Sequence, residues 1–393
     1  MRAREILQRL IESELGQVHK ARVRAVLTAA WTVLRCGRCS LTAVGRAIAD
    51  NTSPKHGIKR VDRLLGNVRL HEQHVPFYRA IARRVVARQV RPVILVDWTA
   101  VTPKLWALTA AVPFEGRAVI VYARTYPTYR YMKPYVNSQF LRDLARVLPP
   151  YCRPIVVADA GFRSPFMQLV TGLGWDYVVR LRGPTLIRQT LGRGWVRIPV
   201  LFGKVRTVPT DFGRVEIGNR RRHVCRLVGI YRPVQHRKHR CRVRHSTTRW
   251  RERRSAREPW ILATSLDDPA KLIIQLYERR MQIEETFRDT KNVRFGLSLV
   301  HARTNSTARA NVLLLLASLA HLFAVVLGIA AEAAQLDRRY QANTIRHRRV
   351  LSLAMLGRLI VASDAATRLE ASAVYRACEA LSSRLLESQF APN

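Results

Sequence analysis

The sequence predicts an α/β protein whose core is interrupted by a mostly β insertion and flanked by helical regions at both ends. Three observations carry that prediction. A helical hydrophobic period over the first 88 residues gives way near residue 91 to short, continuous apolar runs. Two such runs, Pro92-Val93-Ile94-Leu95-Val96 and Pro154-Ile155-Val156-Val157-Ala158, each stop at an aspartate, Asp97 and Asp159. Between about 182 and 258 both periods dissolve into short strand-like pieces and arginine-rich loops.

Helices are expected at Arg2 to Glu14, Val18 to Leu34, Leu41 to Ala49, Lys55 to Leu65 and Glu72 to Ala87. Ser53 and Pro54 are well placed to start the fourth. That helix carries Lys55, Lys59 and Arg63 at i, i+4 and i+8, with His56 and Arg60 beside them. The strand ending at Asp97 is followed by strands at Leu105 to Val112 and Ala118 to Ala123, joined by the turn residues Pro113-Phe114-Glu115-Gly116. A helix near Gln139 to Val147, the strand ending at Asp159, a helix at Pro165 to Leu173 and a strand at Tyr177 to Leu181 complete a β-β-β-α-β-α-β order. Trp260 to Thr264 restores a strand, and a helix opens near Pro269. Residues 310–331 contain no Asp, Glu, Lys or Arg, which is long enough for a bilayer. Asn311, Ser318 and His321 interrupt that run, so the expectation is a helix buried in the core.

Sixty-eight Lys and Arg against 27 Asp and Glu leave a net charge of +41. Such an excess repels itself unless a polyanion is near, and basic residues spread through folded segments favour nucleic acid over a membrane surface. No membrane partner is expected. Six cysteines in no regular framework, behind an N-terminus without an apolar leader, suggest a reducing, cytoplasmic setting. Cys36 with Cys39, and His236, His239 and Cys241, form two weak metal-binding patterns; ordinary cysteines are the simpler reading. Residues 219–258 hold fifteen Lys and Arg against two Glu, either a basic β surface or a disordered loop. The basic helix from Lys55 has the form of a groove- or phosphate-contacting helix, or of a solvated face.

Acidic residues are scarce, so two aspartates closing apolar strands are informative. A carboxylate there is costly unless it is paired or bound to a cation. Asp97 and Asp159, with a third carboxylate from a later helix, would favour Mg²⁺ or Mn²⁺, and two such ions about 4 Å apart suit in-line phosphoryl transfer. The third acid is sought in the stretch from Tyr277 to Lys291. Read as one helix, it brings Tyr277, Arg280, Glu284 and Lys291 within about 60° of one another, whereas Glu285 points about 100° from Glu284. Glu284 is therefore preferred. Arg280 and Lys291 can hold a phosphate, and Tyr277 can pack on a sugar or donate to a phosphate oxygen. Three antiparallel strands followed by α/β crossovers describe a ribonuclease H-like core.

The spacing Y-x-x-R-x-x-x-E, then six residues and K, resembles the signature of insertion-sequence-four-type DDE transposases, in particular the insertion-sequence-ten branch. Ile58 to Asn67, Val96-Asp97-Trp98, Asp159-Ala160-Gly161-Phe162, Glu258-Pro259-Trp260 and Met281 to Asp289 carry the likeness along nearly the whole chain. Ala160 stands where many members of the wider family have Arg. The resemblance implies a ribonuclease H-like catalytic core with Asp97, Asp159 and Glu284 as metal ligands. It also implies cut-and-paste transposition by nicking, hairpin formation and opening, and strand transfer. Tyr277, Arg280 and Lys291 would grip terminal phosphates, and Trp260 would stack on a flipped base or serve the core. The expected partners are terminal inverted repeats, target DNA and a second copy in a homodimer, in a nucleoid-associated protein. The corresponding regions are a helical DNA-binding part at 1–88, the core at 89–181 and 259–335, a basic β-rich insertion at 182–258, and a helical C-terminal region at 336–393 for dimerisation or DNA contact.

Overall fold

Val93, Ile94, Leu95 and Val96 are fully buried because they open the first strand of an antiparallel meander in the computed structural model. The structure describes residues 3–49, 52–87, 89–189, 194–218, 222–233, 258–294, 296–341, 344–345 and 347–390. They form two units, one within residues 1–152 and 281–391, the other within 153–280.

In the first unit, β1 (Val93–Thr102), β2 (Leu105–Phe114) and β3 (Arg117–Pro127) pair in sequence order. The β2–β3 turn consists of Glu115 and Gly116, with φ of 44° and 80°. Two positive φ values match the right-handed strand twist, which is why a glycine stands there. The expectation that β1 stops at Asp97 is not met. Its ladder with β2 runs on to Thr102↔Leu105, and Trp98 is buried beside the rings of Tyr126 and Tyr131. Continued pairing and aromatic packing both keep the chain extended past the aspartate.

Helices α1 (Ala3–Glu12), α2 (Lys20–Cys36), α3 (Leu41–Ala47), α4 (Pro54–Leu65), α5 (Val68–Glu72), α6 (His74–Val86) and α7 (Pro134–Val147) belong to this unit. So do α10 (Met281–Lys291), α11 (Thr307–Ala333), α12 (Leu353–Ala362) and α13 (Ala371–Phe390), numbered in chain order. Helices α3 and α4 cross at Gly45 and Gly57. A Cβ on Gly57 would lie 2.1 Å from the Gly45 carbonyl oxygen, so the crossing exists only because both residues lack one. Burial of Val61 and Leu65 fixes the inward face of α4 and leaves Lys55, Lys59, Arg60 and Arg63 exposed. Asp62 ties the same helix to Arg309 at the start of α11, at 2.6 Å.

Helix α11 is apolar and long enough to cross a bilayer, yet the whole apolar stretch is buried inside the protein. Its burial is nearly complete around the helix, as the uncharged run requires of a core element. Near its start, Asn311 Oδ1 accepts from both the backbone N–H and the hydroxyl of Thr125 on β3, at 2.7 and 2.8 Å.

The second unit holds β4 (Ile155–Ala158), α8 (Ser164–Gly172), β5 (Asp176–Leu181), four strands β6 (Leu186–Gln189), β7 (Val196–Arg197), β8 (Thr210–Ile217) and β9 (His223–Ile230), then β10 (Trp260–Thr264) and α9 (Ala270–Glu278). Its strand order is β4-β5-β10-β9-β8-β6-β7; among the described residues the β4–β5 pairing is parallel and the others are antiparallel. The strands between 182 and 230 thus extend the β10 edge. Residues 234–257, with His236, His239 and Cys241, lie outside the described residues.

The stretch from Tyr277 to Lys291 is not one helix. Helix α9 ends at Glu278 and α10 begins at Met281. The Arg280 amide donates to the Tyr277 carbonyl at 3.0 Å, a three-residue closure that tightens the chain. Both Tyr277 and Arg279 are buried, at 3% and 5% exposure. On a regular helix they would stand about 200° apart, so one amphipathic face could not bury both.

Candidate active site

Asp97 is half-buried in the middle of β1, opposite Thr109, and its Oδ1 accepts the Trp98 N–H at 2.8 Å. Thr99, two residues on, faces the same side of the strand. Lys291 reaches that side: its Nζ donates to Thr99 Oγ1 at 2.5 Å. Burial pushes the Lys291 pKa below the usual lysine range, and the nearby Asp97 charge opposes the shift. Lys291 closes α10, whose first turn carries Glu284, half-buried. Seven residues apart on this helix, Glu284 and Lys291 stand within about 20° of each other in projection. Glu285 instead pairs with the exposed Arg288 at 2.7 Å. The helix break removes the phase relation with Tyr277 and Arg280 on which the preference for Glu284 rested, and within α10 only the alignment of Glu284 with Lys291 remains.

Threonine anchors this helix to the strands. Thr286 is fully buried, accepts the Ala118 N–H at 2.7 Å and donates to the Ala118 carbonyl at 3.0 Å. Both hydrogen-bonding groups at one position of β3 are thus satisfied by α10, which fixes its depth and rotation.

In the second unit, β4 is buried throughout and ends where Asp159 turns the chain. Asp159 Oδ1 accepts the Gly161 N–H at 2.7 Å, an Asx turn that holds the carboxylate at the strand's carboxyl end. Tyr277 lies in the same unit, with Trp260 edge-on at 5.0 Å and 74° and the Arg280 guanidinium 5.9 Å from its ring centroid. Burial raises the Tyr277 pKa; Arg280 and Arg180 pull it down, and Asp159 adds to the rise. Tyr277 is therefore a neutral donor beside two cations. Trp260 is half-buried, between the exposed base platform and the core residue that its sequence allows.

Arg180 is a functional candidate absent from the sequence reading. It is 9% exposed on β5, paired with Leu262 of β10, and burial depresses its pKa while Tyr277 sustains the charge. The signal was a guanidinium inside the run Tyr177-Val178-Val179-Arg180-Leu181. A cavity of about 230 Å³ lined by Arg163, Arg180 and Arg182, with Phe162, Leu181 and Ile217 among its apolar walls, adjoins Ala160.

The three acids singled out by the sequence, Asp97, Asp159 and Glu284, offer oxygen alone, the donor type that a hard divalent cation takes. Within neither unit do three His, Cys, Asp or Glu side chains gather among the described residues. The Cys39 thiol donates to the Leu313 carbonyl at 3.3 Å and is buried, and Cys36 Sγ lies 3.4 Å from the Arg38 carbonyl. Both cysteines are engaged with backbone.

A family model described as the transposase DDE domain matches residues 88–320, more than half of the chain. No curated protein matches it.

Proposed function

The chain belongs to the transposase DDE domain family, and from that premise we propose that it is an insertion-sequence-four-type enzyme that excises and inserts DNA by cutting and pasting. Membership makes DNA its substrate. The finer reading adds a ribonuclease H-like core at 89–181 and 259–335, interrupted by the 182–258 insertion. It adds terminal inverted repeats and target DNA as the two substrates, and a homodimer on paired ends.

In this reading Asp97, Asp159 and Glu284 would hold two Mg²⁺ ions, which would polarise the scissile phosphodiester and lower the pKa of the attacking hydroxyl. The chain's own residues bind and orient the rest. Lys291, held on Thr99, presents a positive charge to a phosphate beside Asp97. Tyr277 donates its hydroxyl proton as a hydrogen bond to a phosphate oxygen while Arg280 neutralises that phosphate. Trp260, braced edge-on by Tyr277, offers its face to an unstacked base. Lys55, Lys59, Arg60 and Arg63 on the exposed face of α4 contact the DNA flank.

The observation that carries the reading is the contact of Lys291 with the Asp97 face of β1 from the end of the helix that bears Glu284. The test is to search the DNA flanking the reading frame for short inverted repeats and to measure Mg²⁺-dependent cleavage of a duplex that carries one. Asp97→Asn should abolish nicking, and Trp260→Ala should impair hairpin formation more than nicking. Cleavage of arbitrary duplexes with equal efficiency would instead identify a general nuclease or resolvase.

A further inference from the structure

Arg38, Arg46, His301 and Arg303 line one groove of about 750 Å³ in the first unit. Its walls come from the loop after α2, from α3 and from the loop before α11. No Asp or Glu lines it. Acids are scarce in this chain, and the arginines that serve the fold claim them: Arg117 holds Asp289, Arg124 holds Asp143, and Arg349 and Arg384 both hold Glu115. Arg38, Arg46 and Arg303 are exposed and have no ion pair or side-chain hydrogen bond among the described residues.

Cations converging on a cleft without an acid repel one another, and the arrangement is favourable only when an anion enters. The volume exceeds that of a single phosphate, and the three arginines come from three separate segments, so the matching ligand is a chain of phosphates. The lining contains no Phe, Tyr or Trp. A groove for single-stranded nucleic acid would offer aromatic platforms to its bases; this one offers charge and hydroxyls, Ser40 and Thr42 among them.

We infer that this groove carries one phosphodiester backbone of a DNA duplex, through residues other than those of α4. The inference rests on the DNA reading above and adds a second track to it. Counterion release supplies the affinity, so each phosphate neutralised steepens the dependence of binding on salt.

The test compares the full-length protein with two triple variants on a duplex containing the inverted repeat and its flank. Arg38→Gln/Arg46→Gln/Arg303→Gln removes the groove charges; Arg142→Gln/Arg153→Gln/Lys271→Gln removes three exposed charges outside it. Loss of the groove charges should lower the slope of log Kd against log salt by about 2 to 3, and the control by less than about 1. Equal slopes for the two triple variants would overturn the groove assignment alone. Failure of the wild-type protein to bind any duplex would overturn the DNA reading and this inference with it.

Discussion

The ammonium of Lys291 is fastened to the hydroxyl of Thr99 at 2.5 Å, on the face of β1 that carries Asp97. This bond sets a cation from the end of α10 against a strand residue 192 positions away in the chain. Burial makes the charge costly, since its pKa is held below the lysine range. A group with that shift destabilises the fold below its folded pKa, and the penalty fades as pH rises towards the ordinary value of 10.5.

Lys291→Met should therefore raise Tm at pH 7 by about 1 to 3 °C while lowering DNA cleavage by about 100-fold or more. The stability gain should shrink at pH 10. Parallel thermal melts at the two pH values and a single-turnover cleavage assay check both halves. Equal losses of stability and activity would show that Lys291 serves the fold.

Glu284 and Glu285 separate in the same assay. Glu284→Gln should reduce cleavage by about 100-fold or more, because that carboxylate belongs to the proposed metal set. Glu285→Gln breaks a pair with the exposed Arg288 and should leave cleavage within a few-fold of wild type, since exposed pairs contribute about 0 to 1 kcal/mol. The reverse order would move the third ligand to Glu285.

The protein should become less stable in mild acid through one histidine. His321 on α11 is 6% exposed, and burial lowers its pKa from 6.5 to about 4. The unfolded chain takes up a proton first as pH falls, so stability is complete above about 6.5 and is lost down to about 4. The effect is on the order of 2 to 3 kcal/mol. His321→Met should flatten Tm between pH 7 and 4.5 relative to wild type, as measured by circular dichroism melts.

Gly57→Ala places a methyl group 2.1 Å from a backbone oxygen of α3. Backbone cannot rotate aside as a side chain can, so the helices must separate, at a cost of about 1 to 3 kcal/mol. Tm should fall accordingly. Lys59→Gln, on the exposed face of the same helix, should leave Tm unchanged and weaken only DNA binding.

Apolar runs and helical periods were enough to locate β1, β4, β5 and the helices from α1 to α4, because each buries a continuous face of its own. What escaped detection depends on tertiary contacts. The break at Arg279 and Arg280 has no Gly or Pro to announce it; it arises from the need to bury Tyr277 and Arg279 together. The extension of β1 beyond Asp97 follows from its partner strand and from Tyr126 and Tyr131. Arg180 was visible as a charge in an apolar strand, but its proximity to Tyr277 required the fold. The alignment of Glu284 with Lys291 was legible because both lie on one unbroken helix, whereas their alignment with Tyr277 and Arg280 was not.

Helix α11 begins only at Thr307, so the first unit's central apolar element is among the later parts of the chain to be made. A product truncated before that point keeps Asp97, Asp159 and Glu284 in its sequence but loses the helix that packs against α2, α6 and β3. The core of the first unit can therefore close only once this helix has been made.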